Sequence, residues 1–215
     1  MSHVRRPDYM PKSRPRLKIL RRFGVQLPGL TRKSAEKKPY PPGQHGQAKT
    51  GRRKTSEFRR LLEEKQKVRF NYGVSEGQLR RYMALARKMP GRTGDNLLAV
   101  LERRLDNVVF RMGFAPTIPA ARQLVSHGNI RVNGKKVDRP SYLAESGDAV
   151  AVAPGKTRER AQLIENVERG PQLRLPSYIA MDPSDKFTGR VIGSPMKADV
   201  PFPVNGSALV EFYAR

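Results

Sequence analysis

The side chains with chemical reach lie mostly between Asp95 and Val152. Arg103, Arg104 and Arg111 fall outside an apolar stripe formed by Leu97, Leu98, Leu101, Leu105, Val108, Val109 and Met112. Arg122, Gln123, Ser126 and His127 flank the apolar positions of a shorter helical pattern, and Arg131, Lys135, Lys136 and Arg139 follow on a basic hairpin. Lys and Arg pair with phosphate oxygens, whereas Gln123, Ser126, Asn129 and Asn133 carry groups suited to sugar and base edges. The chemistry these residues offer is recognition of a polyanion. Changing Arg104, Arg111 and Lys135 together to Gln is expected to weaken binding of that polyanion without unfolding the chain.

Bond-making chemistry has no comparable support. Cys is absent, which removes disulfides, thiolate nucleophiles and cysteine-based zinc sites. His3, His45 and His127 are scattered, and no pair has a metal-ligand spacing. The chain contains no G-x-x-x-x-G-K-[ST], G-x-G-x-x-G or G-x-S-x-G motif. Asp182 and Asp185 sit on a Pro- and Ser-containing stretch where carboxylates usually face solvent or cap a turn. The expectation is a protein that is not an enzyme and uses no cofactor or metal.

Charge narrows the partner. The 215 residues include 43 Lys and Arg against 19 Asp and Glu, a net charge of +24 with only 37% hydrophobic residues. Such a surplus repels itself unless a polyanion neutralises it. A membrane surface is the competing polyanion, but no apolar run of about 18 residues is present and the first residues lack the apolar centre of a signal peptide. Nucleic acid is the better reading. Residues 1–54 hold 16 of the basic residues and two acids, Asp8 and Glu36, along with seven prolines and five glycines. This arm is expected to order on its partner, docking through Leu17, Ile19, Leu20, Phe23, Leu27 and Leu30. Its candidate contacts are Arg14, Arg16, Lys18, Arg21, Arg22, His45, Arg52, Arg53 and Lys54.

The elements that must position these groups follow from periodicity. Helices are expected from Thr55 to Gly73, and from Ser75 to Met89 behind a Ser75/Gln78 capping box. Their outer faces present Arg59, Arg69, Arg80 and Arg81. A long helix should follow to Met112, capped by Thr93 or Asp95 and stopped by Gly113, then a short one capped by Thr117 and ended by Gly128. Asn133-Gly134 between Val132 and Lys135 is a type I′ hairpin signal, and Val150 and Val152 suggest a further strand. Thr157–Val167 reads as amphipathic helix, with short strands expected at Arg190–Ile192 and Leu209–Tyr213.

The segment RLDNVVFRMGFAPTIPAARQLVSHGNIRVNGKKVDRPSYLAESGDAVAV resembles the alpha-L RNA-binding motif, which pairs two helices with a small sheet. The flanking PRLKILRRFG, LPGLT, PPGQHG, EKQKVRFNYGVSEGQLRRY and terminal LVEFYAR resemble the bacterial and organellar ribosomal protein S-four family. That likeness implies an α+β fold with a basic arm over residues 1–42, a helical domain from 43–95 and 187–215, and an alpha-L domain over 96–186. It implies a structural constituent of the small ribosomal subunit that binds the 5′ domain of its RNA early in assembly and contributes to translational accuracy. Partners implied are that RNA, ribosomal protein S-five and the family's own operon mRNA; the implied place is the ribosome of the bacterial cytoplasm or an organelle. Some family members carry a zinc-binding cysteine cluster in the arm, and its absence here argues against zinc. Two other readings remain at this point: an RNA-modifying enzyme docking through the same module, and a helix-turn-helix DNA-binding protein.

Overall fold

The computed structural model describes residues 15–44, 46 and 56–214. Helix α1 spans Arg16–Phe23 and is closed by Gly24, whose φ of 64° is a left-handed conformation open to glycine without steric penalty. Ile19 and Leu20 on α1, with Leu27 and Leu30 beyond it, enter the core shared with the rest of the chain. This part of the arm therefore folds on its own chain rather than only on a partner, because its apolar anchors have a protein surface to cover. Leu17 is exposed and is not one of those anchors.

Helix α2, Glu57–Asn71, starts at Ser56, whose hydroxyl accepts the Arg59 N–H at 3.3 Å. Helix α3, Glu76–Lys88, has the expected capping box: Ser75 accepts from the Gln78 N–H, and the Gln78 side chain accepts from the Ser75 N–H. The long helix expected next is two helices, α4 at Thr93–Glu102 and α5 at Leu105–Arg111. Arg104 between them is extended and bridges to Leu143. The backbone N–H groups of Leu105 and Asp106 donate to the carbonyls of Tyr142 (2.8 Å) and Pro140 (3.2 Å), so a distant segment satisfies the new helix start. Neither Thr93 nor Asp95 caps α4; the N-cap position is Arg92, without a side-chain bond. Helix α6, Ile118–Ser126, is capped by Thr117 as expected.

Strands β1 (Ile130–Val132) and β2 (Lys135–Lys136) meet at Asn133 and Gly134, with φ of 50° and 78°, the paired left-handed values of a type I′ turn. Strand β3 (Ala149–Val152), helix α7 (Ala161–Arg169), and strands β4 (Ile179–Met181) and β5 (Thr188–Val191) complete an antiparallel sheet of order β2-β1-β3-β5-β4. Helix α7 starts later than expected, and β4 carries no clear alternation. Helix α8, Gly206–Ala214, occupies the stretch expected as a strand. Asn205 caps it, accepting the Ser207 and Ala208 N–H groups, and it packs on α2 and α4.

The C-terminal stretch thus divides. Thr188–Val191 pairs with β3 in the sheet, whereas α8 joins the helices, so a boundary at residue 187 cuts through the sheet. Helix α4 likewise packs with α3 and α8. One continuous core, from Leu20 through Leu105 and Val150 to Leu209, runs beneath both units.

Candidate nucleic-acid interface

Three expected surface arginines meet two buried carboxylates at the joint between the units. Asp106, fully buried, is gripped by Arg104 through two bonds of 3.0 and 2.6 Å and by Arg122 through bonds of 3.2 and 2.8 Å. Arg122 also donates to the Gly73 carbonyl at 2.7 Å, and Arg104 donates to the Tyr82 hydroxyl. Glu102 accepts from Tyr72 (2.5 Å), Tyr178 (2.8 Å), Asn107 (2.8 Å) and Arg111 (3.2 Å). Burial opposes the charge on Arg104, yet Asp106 with Tyr82 outweighs it and holds the guanidinium above its ordinary pKa; Glu102 with Tyr178 and Tyr72 does the same for Arg111. Burial and the Glu102 carboxylate push the Tyr72 and Tyr178 phenols well above the usual tyrosine range. Arg104 and Arg111, 1% and 3% exposed, belong to the interior and not to a solvated basic face. Their helical positions fall off the apolar stripe, but the break at Arg104 turns them inward toward acids that a linear reading could not pair with them.

A second group does form an open cationic surface. Gln123, Ser126 and His127 are exposed along the end of α6, and the hairpin follows directly with Arg131, Lys135, Lys136 and Arg139 exposed. The alternation of β1 buries Ile130 and Val132 and turns Arg131 outward. Arg131 lies directly opposite Lys136, so two like charges face each other across the pair. The end of the Lys136 side chain lies over Gly128, beside the end of α6. Among the described residues none of these four cations makes an ion pair. The same outer sheet face carries Arg190, exposed on β5 opposite Ala149; its strand was legible in the sequence, but its face was not. Asn133 is engaged in the turn, accepting from the Ala149 N–H and donating to Asp148.

The remaining candidates separate by environment. Lys18 and Arg22 are exposed on α1, and Arg16 is half-buried. Arg21 donates to the Tyr40 carbonyl at 3.0 Å and lies over the Tyr40 ring. Arg59 pairs with Glu63, Arg80 with Glu76 and Arg103 with Glu145, while Arg81 is exposed and Arg69 half-buried. Arg14, His45, Arg52, Arg53 and Lys54 lie outside the described residues. Asp185 is a loop organiser: it takes bonds from the Phe187 N–H, the Thr188 hydroxyl and Arg158, which outweigh its partial burial and lower its pKa. Among the described residues no cluster of three His, Asp or Glu side chains is placed to hold a metal ion.

Comparison with known proteins converges on one family. Residues 12–102 match the ribosomal protein S4/S9 N-terminal domain and residues 103–150 match the S4 domain, so the two models meet at the break between α4 and α5. The small ribosomal subunit protein uS4B of Nitrosomonas europaea is 50% identical over 201 residues, spanning 94% of this chain and 96% of that protein. The uS4 proteins of Thermosynechococcus vestitus and Methylobacillus flagellatus are 54% and 50% identical, with the same shares of each chain covered. A match of that identity over 94% of the chain, carried on a fold that sets a cationic hairpin beside a short helix on a braced helical unit, means that the chain belongs to the ribosomal protein S4 family.

Proposed function

We propose that the protein is a structural constituent of the small ribosomal subunit, in the cytoplasmic ribosome, whose task is to hold folded ribosomal RNA. The reading rests above all on the near full-length match to uS4 proteins. The open cations of the hairpin segment agree with it: Arg131, Lys135, Lys136 and Arg139 can each neutralise a phosphate. Family membership makes the chain a ribosomal component and not an enzyme, and it sets aside the RNA-modifying and DNA-binding alternatives. The finer reading is a primary binder of the 5′ domain that nucleates its assembly, touches ribosomal protein S-five and contributes to decoding accuracy. Its support is the resemblance of the arm, helical and alpha-L segments in order. Binding to its own operon mRNA would use the same cationic face. The test is sedimentation of tagged protein with small subunits after a high-salt wash: a primary RNA binder stays with the particle, whereas release at moderate salt would overturn that role.

A further inference from the structure

A groove of about 400 Å³ opens between the loop after α1 and the start of α6, lined by Arg16, Thr31, Arg32 and Lys33 on one side and by Thr117 and Gln123 on the other. Among the described residues no carboxylate lines it, and Arg16, Arg32 and Lys33 make no ion pair. Three unneutralised cations around one concavity repel one another, and an anion between them removes that penalty.

The groove is built on a rigid base. Leu27 and Leu30 are buried on either side of Gly29, whose N–H donates to the Asn71 side chain at 3.0 Å and whose carbonyl accepts the Ile118 N–H at 2.8 Å. A Cβ on Gly29 would lie 2.6 Å from the Asn71 carbonyl oxygen and 2.6 Å from Ile118 Cδ1. The loop is therefore pinned to the end of α2 and the first residue of α6 before any ligand arrives. The first amides of α6 already have partners: Ile118 donates to Gly29, Ala120 donates to Thr117, and Pro119 has no N–H. Side chains, not the helix terminus, must hold the anion.

We propose that this groove is a composite RNA phosphate site, in which Arg32 and Lys33 join Arg16 to clamp the backbone of a strand that continues along α6 past Gln123 toward Ser126, His127 and the hairpin. The inference rests on the RNA-binding reading above and adds a site shared by the arm and the alpha-L unit. Both Arg32 and Lys33 are exposed, so their loss leaves the core intact.

The test is filter binding of a transcript of the small-subunit 5′ domain across a salt series. The R32Q/K33Q double variant is expected to melt like the wild type and to show a log–log salt slope smaller by about 1.5, the share of two phosphate contacts. An unchanged slope in that variant overturns the site alone, as does an equal fall in the charge-matched K156Q/K186Q control. Wild-type binding with no salt dependence overturns the RNA reading and this site with it. A second arm distinguishes the source of phosphate. Inorganic phosphate that displaces the transcript no better than chloride at equal ionic strength supports an RNA backbone; selective displacement by millimolar phosphate assigns the groove to a free anion instead.

Discussion

Arginine has two different tasks in this chain, and burial separates them. Arg104 and Arg111 each meet a fully buried carboxylate, so removing either leaves Asp106 or Glu102 short of a partner inside the core. Arg104→Gln or Arg111→Gln is expected to cost about 3 kcal/mol or more of folding stability in urea denaturation. The triple Gln variant of Arg104, Arg111 and Lys135 would accordingly unfold the chain, contrary to the sequence-based expectation, and lost RNA binding in it would say nothing about the surface. Lys136→Gln should do the opposite: it relieves the repulsion from Arg131 across the hairpin, so the melting temperature holds or rises while affinity for rRNA falls. A drop in stability without loss of affinity would show that Lys136 serves the fold. The phenols give a pH handle. Tyr72 and Tyr178 have folded pKa values raised above the unfolded value of about 10, so their stabilising effect is complete below about pH 10 and is lost as pH rises beyond it. Phenolate absorbance should show these two tyrosines ionising together with alkaline unfolding; early ionisation in the folded state would contradict their placement against Glu102.

At the scale of elements, the junctions carry more information than the helices themselves. Helices α4 and α8 cross where Gly94 faces Gly206, and a Cβ on Gly94 would sit 2.6 Å from the Gly206 carbonyl carbon. Gly94→Ala must push α8 off α4, and a loss of about 1–3 kcal/mol is expected from overpacking. A calorimetric melting temperature equal to wild type would mean that the crossing is loose. Caps and turns such as Ser75 with Gln78, Thr117, and Asn133 with Gly134 were legible in the sequence because they depend on neighbours within a few residues. The break at Arg104 was not. Both sides of it keep a helical apolar period, and what stops the helix is the backbone of Pro140 and Tyr142, about 35 residues away.

At the scale of the molecule, the chain closes on itself. The Tyr213 hydroxyl donates to Glu76 at 2.9 Å, Arg87 donates to the Tyr213 carbonyl at 3.1 Å, and the Asn205 N–H donates to Glu64 at 3.0 Å, tying α8 to α2 and α3 across more than 120 residues. A chain ended at Val204 should expose the apolar faces of α2 and α4. Dye binding and a broadened melt are the expected signs, together with weaker rRNA binding; a sharp melt at the wild-type temperature would show that α8 is dispensable. The sequence by itself determined the polyanionic partner, the α+β class, the alpha-L pattern and the family resemblance, because net charge, periodicity and short motifs are local or additive properties. Only the tertiary structure decided which cations are free to meet RNA. A charge acts on the surface or in the core according to what folds against it, and for Arg104, Arg111 and Arg122 that depends on the inward placement of Glu102 and Asp106. The same folding sets Arg32 and Lys33 beside α6, a neighbour more than 80 residues distant in the chain that no local pattern could reveal.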